Sequence, residues 1–309
     1  MYVYICIIMA TEIINENFKK QIIFLLNNNW TGKNDMYFPL QNAINIERKH
    51  LFKLFNYKYI YYKKDTVNTT RGVLFLFKNI SGDNTAVIVF KDLSVYHIHL
   101  ETLDEYYNGS IFEISYTPTN ITIYDAFLIA GNKINYQPFE ERISDVKIML
   151  DNLNSKNFIF KMLTFSTDIC SFKEIEDDEE LFMISSNLPI LTGVNFSFFK
   201  WKPAEKITFC LQVVEEKDDL ILMSSNFKKI IKFAKIHNET SKGNEYINQI
   251  KSIENYIDNC VLDINIESPN GKILIKRVNP DKIYPTSVRL IEKVLFIKHE
   301  SIQFTELYE

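Results

Sequence analysis

A long succession of strand-like segments between residues 57 and 129 constrains the fold more than any other feature. Runs rich in Val, Ile, Phe and Tyr, such as GVLFLFKN and TAVIVFKD, alternate with turn signals such as SGDN and NG. Short turns join strands that pair with their sequence neighbours, which predicts antiparallel sheets. Further strand-like segments between residues 195 and 279 predict a second, smaller β unit.

Helical periodicity appears on either side of these strands. Apolar residues at helical spacing predict helices over residues 11–29, 44–55 and 139–154. A further helix is predicted at the start of the segment SVRLIEKVLF. This order of elements predicts the α+β class.

Composition limits the classes of function. The 309 residues suffice for two domains, and 46% apolar residues suffice for a sizeable core. A net charge of −4 excludes a uniformly basic nucleic-acid-binding surface but allows a local basic cleft. The four cysteines are far apart and form no Cys-x-x-Cys pair, which argues against a zinc site or a disulfide framework and favours a reducing compartment.

The apolar N-terminus, MYVYICIIMA, is too short to span a bilayer and lacks the basic region of a signal peptide. It is either an edge strand or a segment that precedes a true start at Met9. Since no other apolar run has spanning length, a soluble protein without a membrane partner is expected.

Two adjacent lysines follow an apolar strand in the stretch YIYYKKDTVNTTRGVLFLF, which contains Lys63, Lys64 and Arg71. A lysine at the end of a buried strand costs free energy because burial disfavours its charged form. The pair is therefore either the solvated tip of a hairpin or the source of a nucleophile, and the choice between Lys63 and Lys64 stays open.

A second pair of lysines lies in FFKWKP, where Lys200 and Lys202 alternate along a predicted strand. Alternate residues of a strand point to the same face. From that face the two side chains could bind a phosphate and lower the proton affinity of a neighbouring lysine.

In their order and approximate spacing, several segments resemble the motifs of mRNA capping guanylyltransferases. These enzymes belong to the covalent nucleotidyltransferase superfamily, which also contains DNA and RNA ligases. The resemblance extends over nearly the whole chain and includes Arg48 and His50 ahead of the lysine strand. It rests on FPLQNAINIERKH, YIYYKKDTVNTTR, GSIFEISY, TIYDAFLIAGNKINYQPFEERI, EELFMIS, FFKWKP and IKRVNPDKIYP.

The resemblance implies a role for each matched residue. Lys64 would be the nucleophile that attacks the α-phosphate of GTP, and Glu179 or Glu180 would place a Mg²⁺ or Mn²⁺ ion. Glu113 would accept hydrogen bonds from the ribose, and Tyr124 would stack on guanine. The implied nucleotide-binding residues are Arg71, Glu113, Tyr124, Lys200, Lys202, Arg277, Asp281 and Lys282.

The resemblance also implies two domains. Residues 1–209 would form a ligase-type (ATP-grasp-like) nucleotidyltransferase domain of antiparallel sheets. Residues 210–285 would form a mobile OB-fold domain, and a C-terminal helix within 286–309 would pack back on the first domain.

The implied reaction passes GMP from GTP, through a lysyl–GMP intermediate, to the diphosphate 5′ end of RNA. An RNA triphosphatase and a cap methyltransferase would act in trans, because this length leaves no room for them. The tail of RNA polymerase II is a further candidate partner, and the implied compartment is the nucleus.

The nucleophile motif of the family, Lys-x-Asp-Gly-x-Arg, can be aligned in two ways. Aligned from its left end, it places the nucleophile at Lys64 and leaves two extra residues before Arg71. Aligned without gaps from Arg71, it places Thr66 at that position. Two other hypotheses therefore stay open: an inactive homologue that binds RNA or capping and polymerase partners, and a ligase-like adenylyltransferase.

Overall fold

The computed structural model describes residues 10–32, 38–65, 69–176, 179–226, 229–267, 272–279 and 284–308. The chain divides into two compact units. The first unit comprises Met1–Asn45 and Phe52–Trp201, and the second comprises Ile46–Leu51 and Lys202–Glu309.

Up to Trp201, the described residues form three α-helices and the strands of two sheets. The helices are α1 (Glu16–Thr31), α2 (Leu51–Asn56) and α3 (Phe139–Leu150). The strands are β1 (Thr11–Glu12), β2 (Gln41–Asn45), β3 (Tyr59–Asp65), β4 (Thr70–Lys78), β5 (Asn84–Phe90), β6 (Val95–Ile98), β7 (Ser110–Tyr116), β8 (Asn120–Ile129), β9 (Asn132–Lys133), β10 (Ile159–Met162), β11 (Glu179–Ser185) and β12 (Gly193–Trp201).

These strands form an eight-stranded and a four-stranded sheet. The order of the larger sheet is β1-β6-β5-β4-β7-β8-β10, with β9 paired to β8, and the order of the smaller sheet is β2-β12-β11-β3. The described pairings are antiparallel except β10 with β8 and β12 with β2. The predicted α+β class with antiparallel sheets is confirmed.

The larger sheet is buried on both faces, which explains the continuous apolar run of β4. Leu74 and Leu76 pack in a core that includes Val146 of α3, whereas Val73 and Phe75 pack in a core that includes residues of α1. A strand covered on both sides needs apolar residues at every position rather than at alternate ones.

Helix α1 begins five residues later than the predicted helix over 11–29. Asn15 is its N-cap and accepts hydrogen bonds from the backbone N–H groups of Asn17 and Phe18 at 3.1 Å. Residues 11 and 12 form β1 instead, paired with β6. The predicted helix over 44–55 is also shorter, because β2 takes up residues 41–45. The expected N-terminal strand lies outside the described residues.

The second unit contains a five-stranded antiparallel sheet with the order β15-β14-β13-β16-β17. One helix, α4, connects the third and fourth of its strands along the chain. The pairings among the described residues form an open sheet, so the OB-fold assignment stays a prediction. Its elements are β13 (Phe209–Glu216), β14 (Asp219–Asn226), β15 (Lys229–Ile236), α4 (Ser241–Lys251), β16 (Val261–Glu267), β17 (Lys272–Val278) and α5 (Val288–Glu300).

The C-terminal helix α5 packs within the second unit, and its expected packing on the first domain stays a prediction. Ile291 and Val294 share a helix face and join the core that contains Leu211 and Leu262. The contact division also begins the second unit at Lys202, eight residues before the predicted boundary at 210. Within the described residues, no helix is long and apolar enough to cross a membrane.

Segment 46–51, which carries the motif residues Arg48 and His50, belongs to the second unit. The Arg48 guanidinium forms an ion pair with Glu306 and donates to the backbone carbonyl of Glu300 at 3.1 Å. His50 Nδ1 accepts a hydrogen bond from the backbone N–H of Glu47 at 3.1 Å. The Arg48 contacts hold the segment against the end of α5 and the turn that follows it.

Candidate active site

Strand alternation gathers one set of side chains on a single face of the four-stranded sheet. Lys64 on β3 lies directly opposite Glu180 on β11, and Phe182 lies opposite both Tyr62 and Lys200. Side chains alternate between the two faces along each strand, and paired residues point to the same face, so all of these side chains lie on one face of the sheet. Tyr62 and Phe182 stack with ring centroids 5.4 Å apart.

The opposite face of the same strands carries Lys63 and Glu179. Lys63 Nζ lies 2.9 Å from Glu179 Oε2 and donates to the backbone carbonyl of Glu174 at 2.9 Å. The structure thus separates the two lysines that the sequence left as alternatives. It also separates the two predicted metal ligands, because only Glu180 shares a face with Lys64.

The larger sheet contributes Arg71, Glu113 and Tyr124 from three neighbouring strands, β4, β7 and β8. Arg71 Nε donates to Glu113 Oε1 at 2.7 Å, and the Glu113 side chain is buried. A register irregularity between β7 and β8 leaves Tyr124 without an opposite residue: Glu113 pairs with Asp125, and Ile114 pairs with Ile123. Such a bulge changes the direction of a side chain relative to regular alternation.

Lys64 lies where the two sheets meet. Its side chain is 8% exposed, and its Nζ lies 4.2 Å from the centroid of the Tyr124 ring. Burial lowers the pKa of the Lys64 amine to about 7, and the positive charges of Arg71 and Lys200 add to this effect. The two carboxylates that act on this amine, Glu113 and Glu180, are themselves paired with Arg71 and Lys200.

Two ion pairs flank the amine. Lys200 Nζ donates to both carboxylate oxygens of Glu180 at 2.9 Å, and Arg71 is paired with Glu113. The site therefore holds two paired cations that act on a lysine whose amine is about half neutral at pH 7. This arrangement suits an anionic ligand and a nucleophilic amine.

A metal ion does not fit this donor set as it stands. Both oxygens of Glu180 accept from Lys200, and Glu113 Oε1 accepts from Arg71. In the described parts of the chain, no group of three His, Cys, Asp or Glu side chains is placed to hold a metal ion. No chemical step is therefore assigned to a protein-held metal.

Tyr124 is almost fully enclosed. Its side chain is 6% exposed, with the Lys64 amine over the ring and the Tyr62 ring centroid 5.8 Å away. A base could stack on Tyr124 only after Lys64 moved away from the ring.

Two of the remaining predicted site residues, Lys202 and Arg277, belong to the second unit. Lys202 directly follows the last residue of β12, and Arg277 on β17 donates from Nε to Asp263 Oδ2 at 3.0 Å. Asp281, Lys282 and the alternative nucleophile Thr66 lie outside the described residues, and their assignments stay predictions.

Sequence reasoning missed a buried ion pair beneath the site. The Arg142 side chain on α3 is fully buried, and its Nε and Nη2 donate to the two oxygens of Asp125 at 2.8 Å each. Asp125 follows Tyr124 on β8, so this pair fixes α3 next to the bulge. The signal in the sequence was a charge within each of two apolar segments, YDAFLIA and FEERI.

No protein-family model matches the chain. The solved structures that match the chain include two DNA ligases and one ligase domain. The Lig E DNA ligase is 11% identical, covering 78% of this chain and 99% of its own, with a TM-score of 0.36. The ligase domain of M. tuberculosis LigD is 7% identical, covering 86% and 98%, with a TM-score of 0.36. The ATP-dependent DNA ligase of bacteriophage T7, solved with ATP, is 10% identical, covering 78% and 98%, with a TM-score of 0.38.

Proposed function

We propose that this protein is a covalent nucleotidyltransferase with Lys64 as its nucleophile, and that its reaction is guanylyl transfer to the 5′ end of RNA. The observation that carries the proposal is the Lys64 amine itself, which is buried over Tyr124 near the cations Arg71 and Lys200. A lysine attacks phosphorus only as the neutral amine, and this environment favours that form near pH 7.

In the first step, the Lys64 Nζ lone pair attacks the α-phosphorus of GTP. A P–N bond forms, the bond from the α-phosphorus to the bridging oxygen breaks, and pyrophosphate leaves with that electron pair. The nitrogen loses one proton to solvent. Arg71 and Lys200 would bind the phosphate oxygens and stabilise the negative charge of the transition state.

In the second step, a terminal phosphate oxygen of diphosphate-ended RNA attacks the same phosphorus. The P–N bond breaks, a P–O bond forms, and the Lys64 amine regains a proton. GMP is thereby joined to the RNA end, and the enzyme returns to its starting state.

The proposed preference for GTP and RNA rests on the motif resemblance rather than on the geometry of the site around Lys64. The segment FFKWKP and the sequence Asp281-Lys282-x-x-Pro285 favour guanylyl over adenylyl transfer. The same resemblance supports a triphosphatase and a cap methyltransferase as partners acting in trans, the polymerase II tail as a further partner, and the nucleus as the compartment. A Mg²⁺ or Mn²⁺ ion would arrive with the phosphates of the nucleotide.

The proposal is tested by looking for a nucleotide covalently bound to the protein. The protein is incubated with labelled GTP or ATP and either metal ion, then denatured and examined for bound nucleotide. We expect a GMP adduct that is lost in Lys64→Ala and kept in Lys63→Ala, since Lys63 is adjacent in sequence but lies on the other face. An AMP adduct, or an adduct that survives Lys64→Ala, would contradict the proposal.

A second candidate is a catalytically inactive homologue that binds RNA ends. The enclosed Tyr124 ring favours it, because the Lys64 amine occupies the position in which a base would stack. This candidate predicts no adduct with either metal ion, together with retained binding to 5′-diphosphate RNA in a direct binding assay.

A further inference from the structure

A chain of buried amide contacts leads from β12 to Arg71. Asn195 Nδ2 donates to Gln41 Oε1 at 3.0 Å, and the backbone carbonyl of Gln41 accepts from Arg71 Nη2 at 2.5 Å. Gln41 is 1% exposed and Asn195 is 5% exposed. Neither residue belongs to the set of side chains predicted to act in the site.

Hydrogen bonds fix the orientation of the Asn195 side-chain amide. Its Oδ1 accepts from the backbone N–H of Ser197 at 2.9 Å, at the point where the pairing of β12 with β2 shifts register. With Oδ1 engaged, Nδ2 is the atom left to donate to Gln41. Gln41 is therefore held by its side chain through Asn195 and by its backbone within β2.

Arg71 is thus held from both sheets of the first unit. Glu113 Oε1 on β7 lies 2.7 Å from both Nε and Nη2, and the Gln41 carbonyl on β2 accepts a further hydrogen bond from Nη2 at 2.5 Å. Acceptors on two different strands set both the position and the plane of a guanidinium. If the Gln41 contact is loosened, Arg71 keeps only its contacts with one oxygen of Glu113, and the guanidinium can turn about that oxygen.

We propose that Gln41 and Asn195 are positioning residues that hold Arg71 beside the Lys64 amine. The inference rests on the proposed role of Lys64 as a reactive amine, but not on the identity of the nucleotide. Arg71 is the charge that most strongly favours the neutral form of Lys64, after burial itself. The charged and titratable groups that act on Lys64 or pack against it are Arg71, Glu113, Glu180, Lys200, Tyr124 and Tyr62.

The test measures the reactivity of Lys64 directly. Brief acetylation with acetic anhydride between pH 5.5 and 9, followed by peptide mass spectrometry, gives the pH midpoint of each lysine. In Gln41→Met and in Asn195→Ala we expect the Lys64 midpoint to rise by about one pH unit, so that its reactivity at pH 7 falls about fivefold. The double variant should show the same change as either single variant, because both act through one contact.

Asn27→Ala is the matched control, because Asn27 is an equally buried amide on α1 that donates to the carbonyl of Ile23. It should leave the Lys64 midpoint unchanged. If Asn195→Ala does not fold, Asn195→Ser keeps an oxygen that can accept from Ser197 but is too short to reach Gln41. Folded variants with an unchanged midpoint, or an equal loss of reactivity at every pH, would overturn the inference.

The labelling assay needs no nucleotide, so it separates this inference from the proposed function. A shifted midpoint without any GMP adduct would support the positioning role and reject the enzyme. A GMP adduct together with an unshifted midpoint would support the enzyme and reject the positioning role.

Discussion

The Lys64 amine lies 4.2 Å from the centroid of the Tyr124 ring, so a side chain of the four-stranded sheet rests directly on one of the eight-stranded sheet. An aromatic ring attracts a charged ammonium, but burial at this position opposes the charge. Burial is the larger effect, since the pKa of Lys64 falls to about 7. The contact therefore holds an amine that can lose its proton under physiological conditions.

Removal of the Lys64 amine should stabilise the protein, and the gain should depend on pH. The pKa of Lys64 is about 7 in the folded chain and keeps its ordinary value of 10.5 on unfolding. Between these values the unfolded chain binds more protons, so the wild-type free energy of unfolding rises with pH. The advantage of Lys64→Met should be greatest at or below pH 7 and should shrink by roughly 4 kcal/mol by pH 10.

Urea unfolding at pH 7 and at pH 10 measures this difference. Lys63→Met, on the opposite strand face, is the control and should show no such trend. An advantage of Lys64→Met that is equal at the two pH values would rule out a depressed pKa in the folded state.

Adduct formation should follow the protonation state of Lys64. Below pH 7 the rate should fall about tenfold for each pH unit, because only the neutral amine reacts, and above pH 8 it should level off. Single-turnover measurements with labelled GTP across this range provide the test. A rate that keeps rising to pH 10 would show that the amine titrates at its ordinary value.

The two neighbouring acids of β11 should differ in their effect on Lys64. Glu180 raises the pKa of Lys64, so Glu180→Gln should move the acetylation midpoint below that of the wild type and increase reactivity at pH 6 about threefold. Glu179→Gln should leave the midpoint unchanged, because Glu179 contacts Lys63 on the other face. Equal effects of the two substitutions would contradict the strand register found here.

Loss of Arg142 should destabilise the first unit severely. Arg142→Ala leaves the buried Asp125 carboxylate without its partner, which costs about 3–5 kcal/mol. Lys58→Ala removes a more exposed ion pair with Glu140 on the same helix and should cost less than about 1 kcal/mol. Thermal or urea unfolding of the two variants compares the costs, and similar values would argue against a structural role for the buried pair.

Much of the local structure could be predicted from the sequence. Apolar runs such as that of β4, and turns such as the one after Lys78, lie where the periodicity indicates. The lysine strand was also recognised, because two cations at the end of an apolar run are costly unless they have a role. Strand alternation alone predicts that Lys63 and Lys64 face opposite sides, but not which side faces Tyr124.

Several parts of the site could not be predicted, because they depend on which strands become neighbours. The Asp125–Arg142 pair joins residues 17 positions apart, and the Asn195–Gln41 contact joins residues 154 apart. The bulge that aims Tyr124 exists only in the register between β7 and β8. The packing of α5 likewise depends on which apolar surface is closest, and its own periodicity shows only that one face is buried.

Local patterns in the chain were enough to predict the α+β class, the order of strands and helices, and the lysine, arginine and acid residues from which a reactive site could be built. The burial of Lys64 rather than Lys63, and the placement of Glu180 rather than Glu179 on its face, depend on how distant strands pair and pack. Periodicity is a local property of the chain, whereas burial and charge at one amine are sums over side chains that long-range pairing brings together.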